Sequence, residues 1–214
     1  MHFLQMKVMS EIRYRLAKPS DAKEIADVHW HVRDRYDKGI FLSLGKGFLK
    51  SYYKITLDDP WEVIICAINE DDKIVGFTEA TLDSERKFRN IKKHRFLLGC
   101  SALRAVLFHP SLFSAVWQRY RSLGNNGQKF LKTDGVRVGY WCWLKSDDSL
   151  KSTELGLVNY RILRDLGVKE YFFEIDKFNK AVYKYNLKIL KAEPIEEITL
   201  PDGRVRVMMK MKVL

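Results

Sequence analysis

The sequence predicts an α/β fold: a mixed, twisted sheet of about seven strands covered by helices, with a helical insertion after the third strand. Three observations predict it. Val136 to Gly167 reads as a strand, a polar turn and an amphipathic helix. Elsewhere, short runs rich in β-branched and aromatic residues alternate with runs whose apolar residues recur at helical spacing. The alternation breaks once, at about 84–123, where a basic cluster and a long helical pattern stand between two strand candidates.

Glu11 to Leu16 is the first strand. Pro19-Ser20-Asp21 starts a helix, with Asp21 and Glu24 spaced as a capping box and Ala22, Ile25, Ala26, His29 and Val32 on one face. Ile40 to Lys54 contains Gly45-Lys46-Gly47, which lacks the full spacing of a phosphate loop and reads better as a turn into a helix carrying Phe48, Leu49, Tyr52 and Tyr53. Trp61 to Ile68 and Lys73 to Leu82 form a hairpin across Asn69-Glu70-Asp71-Asp72.

The segment from Ser84 to Leu123 is read as two helices hinged near Pro110. It holds a basic cluster from Arg86 to Arg95. A lid, a dimer face and a membrane-surface helix compete as its role, beside a plain helical cover with a solvated basic face. Val168 to Ile175 is a further strand. Phe178, Val182, Tyr185 and Ile189 mark a helix, and Pro194 to Leu200 and Val205 to Val213 pair around Pro201-Asp202-Gly203.

Composition narrows the class. The chain has 214 residues, 46% hydrophobic and 30% charged, which suits one sizeable core; residues 1–214 read as a single domain. Met1 to Ser10 lacks the apolar core of a secretory signal, and Phe96 to Phe108 is too short to span a bilayer. Cys66, Cys100 and Cys142 are far apart and show no metal-ligand spacing, so a reducing cytoplasm and no metal are expected. The formal net charge of +11 admits nucleic acid, anionic lipid or a phosphorylated small molecule. Nucleic acid is disfavoured, because only Phe88 and Phe96 interleave the basic cluster.

Two residue sets invite a catalytic reading. His29 and His31 lie beside an apolar stripe with no Cys or carboxylate to complete a ligand set, so a structural role is preferred. Glu79 lies in a strand; it is a candidate general base if it faces a cleft, and a solvated carboxylate if it faces away.

The element order resembles the GNAT family of N-acetyltransferases. IRYRLAKPSDAKEIADVH looks like its opening strand and helix, KIVGFTEATLD like its third strand, and NKAVYKYNLKIL occupies the place of its fourth helix. IFLSLGKGFLKSYYK, followed by a helical insertion, is similar to a bacterial subgroup of the family. The resemblance implies acetyl-CoA as co-substrate, attacked directly by an amine. It implies that the backbone of Trp143 and Leu144 faces the thioester, and that the loop after them cradles the pyrophosphate. The family's loop reads Arg/Gln-x-x-Gly-x-Gly/Ala. One register places Lys151, Glu154 and Gly156 on its key positions, another Ser149, Ser152 and Glu154. Both put Glu154 at a glycine position, leaving Ser149, Lys151, Ser152, Thr153 and Gly156 as cofactor-binding candidates.

Asn179 matches the family's helix-opening asparagine. The thiolate-protonating tyrosine then falls on Asn186, and a shift of one residue brings Tyr185 into place; the other reading of Tyr185 is a core residue on the Phe178, Val182, Ile189 face. The expected function is therefore acetyl transfer from acetyl-CoA to a primary amine of a small metabolite, with an amino sugar or nucleotide-linked sugar as the acceptor class in view, Glu79 as base and Tyr185 as acid. A basic cluster drawing in a phosphorylated acceptor belongs to that reading. The alternative is a degenerate GNAT-like binding or interaction module.

Overall fold

The computed structural model describes residues 11–34, 40–108, 110, 113–114, 117, 135–144, 149–200 and 203–214. The strands are β1 (Arg13–Leu16), β2 (Glu62–Ile68), β3 (Ile74–Thr81), β4 (Arg137–Trp143), β5 (Glu170–Asp176), β6 (Glu193–Thr199) and β7 (Val205–Lys212). The helices are α1 (Ala22–His31), α2 (Ile40–Ser43), α3 (Gly45–Leu57), α4 (Ser84–Lys93), α5 (Arg95–Phe108), α6 (Ser149–Asp165) and α7 (Lys180–Lys184). The strands form one sheet in the order β1-β2-β3-β4-β5-β7-β6. Every neighbouring pair is antiparallel except β4 and β5.

Alternation along the strands divides the core into two layers. Ile64, Cys66, Phe77 and Cys142 face α1 and α3, meeting Ile25, Leu49 and Tyr53. Val63, Ile65, Ala80 and Trp143 face the other way, onto Leu155 and Leu163 of α6. The predicted carboxyl end of α6 is as expected. Gly167 has φ +79°, and the Gly167 and Val168 amides donate back to Arg164 and Leu163. This closes the helix as a Schellman turn.

Three local expectations are corrected. Asp21 and Glu24 do not form a capping box: Asp21 pairs with Arg15 at 2.6 Å and accepts the Lys18 amide, while Glu24 accepts the Ile74 amide at 2.8 Å. Both carboxylates fix α1 to the sheet rather than to itself. The insertion has a break that was not expected, at His94 between α4 and α5; beside the expected hinge, α5 ends at Phe108, Pro110 is in a turn, and Phe113, Ser114 and Trp117 are helical again. The loop Gly124 to Gly127 also lies outside the described residues, as do Pro201 and Asp202.

The third correction concerns the last helix. Its inward side is Tyr183, Asn186, Leu187 and Leu190, whereas Phe178, Val182 and Ile189 are exposed. Phe178 lies before the N-cap Asn179 and Val182 before the irregularity; for Ile189 the cause is a π-turn over Tyr185–Ile189, in which the Leu190 amide donates to the Tyr185 carbonyl. A π-turn takes one residue more than an α-turn and so rotates the downstream face. Tyr185, the first residue of that turn, is half-buried rather than in the core.

Candidate active site

Two irregularities in the sheet meet at the middle of β4. The first is a bulge. Thr78 pairs with Trp141 and Ala80 with Val138, so Gly139 and Tyr140 together stand opposite Glu79. The second is the early end of the parallel ladder: β5 pairs with β4 only at Arg137↔Phe172 and Val138↔Phe173. From Gly139 onward β4 is no longer laddered to β5. A wedge between two parallel strands, beside a bulge, is where a sheet offers backbone groups to a ligand.

Glu79 faces this bulge on the α1/α3 side and is 1% exposed. Burial there follows from the hairpin register, which pairs Glu79 with Ile64 under α3. The Tyr52 hydroxyl donates to Glu79 Oε1 at 2.9 Å, and Lys87 of α4 donates to the same oxygen. Glu79 Oε2 has no partner among the described residues. A Cβ on Gly139 would stand 3.5 Å from Glu79 Cδ and 3.7 Å from Oε2, so the glycine leaves the backbone of the bulge as the nearest part of β4 to this buried oxygen. Tyr140 lies on the same side of the sheet, its ring 4.3 Å from that of His29 and 6.5 Å from that of Tyr52.

A second carboxylate completes the cluster. Glu62 Oε2 accepts from Lys87 at 2.8 Å, and Glu62 Oε1, like Glu79 Oε2, lacks a partner among the described residues. Two buried carboxylates thus share one ammonium, with a formal sum of −1. Burial and the Glu79 charge push the Glu62 carboxyl up to about 7, against the pull of Lys87. Lys87 responds in the opposite sense. Burial works against its charge, but Glu79, Tyr52 and Glu62 outweigh that and hold it above the usual lysine range.

Sequence reasoning singled out Glu79 but passed over Glu62 and Lys87. The hairpin register could have found Glu62, since it lies two residues from Ile64 on the same strand face. Nothing local marks Lys87, which reads as one of several lysines in a basic cluster. That cluster is also partly neutralised: Arg86 pairs with Asp59 and Arg89 with Glu85. It therefore fits less well as a site drawing in a phosphorylated acceptor.

His29 and His31 are engaged locally, His31 through a 2.7 Å contact with the Asp27 carbonyl. His29 is buried with Nδ1 2.7 Å from the Tyr53 hydroxyl, and burial lowers its pKa to about 4. Among the described residues no group of three or more His, Cys, Asp and Glu could hold a metal ion. A cleft of about 210 Å³ lies between α3 and α4, lined by Asp58, Asp59, Arg86, Asn90, Lys93 and His94. It is smaller than typical ligand pockets. It also sits at the end of the sheet where Glu62, Thr81 and Arg137 align, away from Trp143 and α6.

The expected cofactor residues fall as follows. Trp143 is buried against Gly76, where a Cβ would come within 2.3 Å of the indole. The Leu144 amide donates to Val75 at 2.8 Å and is taken up by β3, so its N–H does not face the wedge. Residues 145–148 and the side chain of Ser149 lie outside the described residues; the backbone enters α6 at Ser149. Lys151, Ser152 and Thr153 form the first turns, half-buried. Glu154 is held by the Lys151 ammonium at 3.1 Å and by the Tyr14 hydroxyl at 3.1 Å; these bonds, Lys151 first, lower its pKa. Lys151 is the cation of that turn, and Glu154 cancels its charge. Gly156 lies under Trp141, with the ring 3.0 Å from where a Cβ would stand. Asn179 caps α7, its side chain accepting the Val182 amide at 3.4 Å. Asn186 faces inward and donates to Val182, while the Tyr185 hydroxyl makes no hydrogen bond among the described residues.

Solved structures with this arrangement are found at low sequence identity. An acetyltransferase of the GNAT family from Bacillus cereus aligns over 95% of this chain and 99% of its own, with a TM-score of 0.54 and 12% identity. An N-acetyltransferase from Staphylococcus aureus aligns over 95% and 98%, at 0.56 and 7%. The fold is a GNAT fold. An N-acyl amino acid synthase from uncultured soil microbes shares it as well, over 96% and 92%, with a TM-score of 0.54 and 8% identity. No family model matches the sequence, and no curated protein does. The GNAT likeness is thus carried by backbone geometry, which persists after sequence signals have diverged.

Proposed function

We propose that this protein is an N-acetyltransferase that moves an acetyl group from acetyl-CoA to a primary amine of a small molecule. One observation carries the reading: the β4 bulge at Gly139 and Tyr140, beside the end of the β4–β5 ladder, stands against a buried carboxylate oxygen of Glu79 that has no partner among the described residues. A bound acetyl-CoA supplies an activated carbonyl. The chain's own groups do the rest. Backbone at the bulge, rather than at Trp143 and Leu144, lies against that carbonyl. Glu79 Oε2 orients the acceptor and takes its proton as nitrogen bonds to the carbonyl carbon and the C–S bond breaks. Glu62, titrating near neutrality, and Lys87 set the charge that Glu79 works against. Tyr185, half-buried with a free hydroxyl among the described residues, is the proposed donor to the departing sulfur.

A cluster with a formal sum of −1 favours an acceptor that arrives as an ammonium ion, a class that includes amino sugars. The phosphate-binding part fits less completely. Ser152 and Thr153 stand in the amide-rich first turns of α6, with Ser149 at their start. Yet Lys151 is paired with Glu154, and Asn179 serves α7. A second reading, a GNAT-fold module that no longer transfers acetyl groups, is favoured by one observation. Tyr14 ties the first turns of α6 to β1, at the far edge of the sheet from β5.

Steady-state assays of thiol release with a panel of small amines separate the two. The transferase reading expects turnover that falls by about a hundredfold or more in Glu79→Gln, as for loss of a general base. Tyr185→Phe should lower kcat with acetyl-CoA affinity unchanged. Absence of amine-dependent thiol release across the panel would leave the module reading standing.

A further inference from the structure

The insertion turns its larger apolar side chains outward. α5 packs on α3 through Leu98, Ala102 and Ala105, and its Ser101 hydroxyl lies 2.9 Å from that of Ser51. These are mostly small residues. On the opposite side, Phe96, Cys100, Leu103 and Leu107 fall within an arc of about 60° at the 3.6-residue repeat. Phe96 is 83% exposed, Leu107 72% and Phe108 73%. Phe113 and Trp117, just beyond α5, are exposed as well and stack at 6.4 Å. A contiguous outward apolar face of this kind marks an interaction surface.

Charge selects what covers it. From Arg86 to Thr133 the sequence has eleven Lys and Arg and no Asp or Glu. Arg95 and Arg104 flank that arc on α5 and Lys92 and Lys93 end the helix before it; all four are exposed and make no ion pair among the described residues. A second copy seated on this face would bring the same cations together with no carboxylate in the segment to answer them. An anionic lipid surface answers both features at once. Apolar side chains enter the acyl boundary while Lys and Arg reach the headgroups. No helix of the described residues is long and apolar enough to cross a membrane, so the helix lies in the interface.

We propose that α5 is an interfacial anchor that seats this protein on anionic membranes through Phe96, Leu103, Leu107 and Phe108, with Lys92, Lys93, Arg95 and Arg104 on the headgroups. The proposal is independent of the acetyltransferase reading. Through α3, whose Tyr52 bonds Glu79, the seated face is one helix layer from the carboxylate cluster.

Cys100 gives a direct readout, since it is the exposed thiol of the face while Cys66 and Cys142 are buried. The full chain, labelled at Cys100 with an environment-sensitive thiol dye, is mixed with phosphatidylcholine vesicles with and without phosphatidylglycerol. Cosedimentation of unlabelled protein is measured alongside. The proposal expects a blue shift and pelleting only with the anionic vesicles. Phe96→Glu and Leu107→Glu should each weaken partitioning about tenfold or more, with unchanged circular dichroism and melting temperature. Each of Lys92→Ser, Lys93→Ser and Arg95→Ser should weaken it about fivefold. Failure to pellet at low salt overturns the proposal. So does pelleting that Phe96→Glu and Leu107→Glu leave intact, which would be adsorption by charge elsewhere. A lipid-free dimer abolished by Leu107→Glu would instead assign the face to a second copy.

Discussion

Replacing Lys87 by Met tests the buried cluster on which the site depends. Lys87 is the ammonium shared by Glu62 and Glu79, whose side chains are 2% and 1% exposed, and its own side chain is 21% exposed. Methionine keeps most of the volume and removes the charge. Breaking a buried ion pair from one side costs about 3–5 kcal/mol, because the remaining charge is left without compensation. Here two carboxylates would be stranded, so the upper part of that range applies at pH 8. Near pH 5 the carboxyls can neutralise themselves by taking protons, and the cost should fall to the 1–2 kcal/mol of a lost hydrogen bond, to order of magnitude, about one-third of the value at pH 8. Urea unfolding of both proteins at the two pH values, with the slope m checked for constancy, gives the difference. Lys87→Met with Glu79→Gln should recover at least half the loss. A loss below about 1 kcal/mol at pH 8, or one that does not change with pH, would refute the claim that these three groups form a single buried charge cluster.

Other consequences follow from the same geometry. Gly139→Ala should set a methyl against Glu79 Oε2 and depress acetyl transfer by about tenfold or more while shifting the melting temperature by little, since the added Cβ meets the carboxyl at ordinary contact distance. Gly76→Ala should do the reverse in kind, costing about 1–3 kcal/mol of stability, because its Cβ would drive into the Trp143 ring. His29 and Glu62 have opposite effects on pH dependence. Between pH 6.5 and 4 the unfolded chain binds a proton that folded His29 refuses, so stability is lost as pH falls, by about 3 kcal/mol. Between pH 7 and 4.5 folded Glu62 keeps a proton that the unfolded chain releases, so its share of stability grows as pH falls. Glu62→Gln should remove that offset, and a pH series of urea melts should show a steeper acid loss than in the natural sequence.

Much of the fold was legible because it is written in local patterns. The apolar runs of β2 and β3 around a polar link, the helical spacing of Leu155 and Val158, and Gly167 at the helix end each specify their element without help from distant residues. The errors arose where tertiary partners overrode local chemistry. Asp21 and Glu24 have capping-box spacing, but Arg15 and the Ile74 amide claimed them. The turn after α7 is a π-turn, so the regular spacing extrapolated as far as Ile189 does not hold there.

The site was legible only in part for a related reason. Glu79 could be named, but whether it faced a helix or solvent depended on a register that pairs it with Ile64. Lys87 belongs to an insertion whose docking no spacing rule encodes. The bulge at Gly139 is likewise a relation between two strands, not a property of either. At α6 the residues expected to receive a pyrophosphate were found engaged with each other, Lys151 with Glu154 and Gly156 with Trp141.

Hydrogen exchange followed by mass spectrometry, with and without acetyl-CoA, tests the placement of the site most directly. Exchange reports local opening along the whole backbone, so it needs no prior choice of residue. The account predicts protection on adding acetyl-CoA in Gly139 to Trp143 of β4 and in the first turns of α6, from Ser149 to Gly156, with residues 58–60 and 86–94 around the α3–α4 cleft unchanged. Protection confined to that cleft, or no protection anywhere at saturating acetyl-CoA, would contradict it.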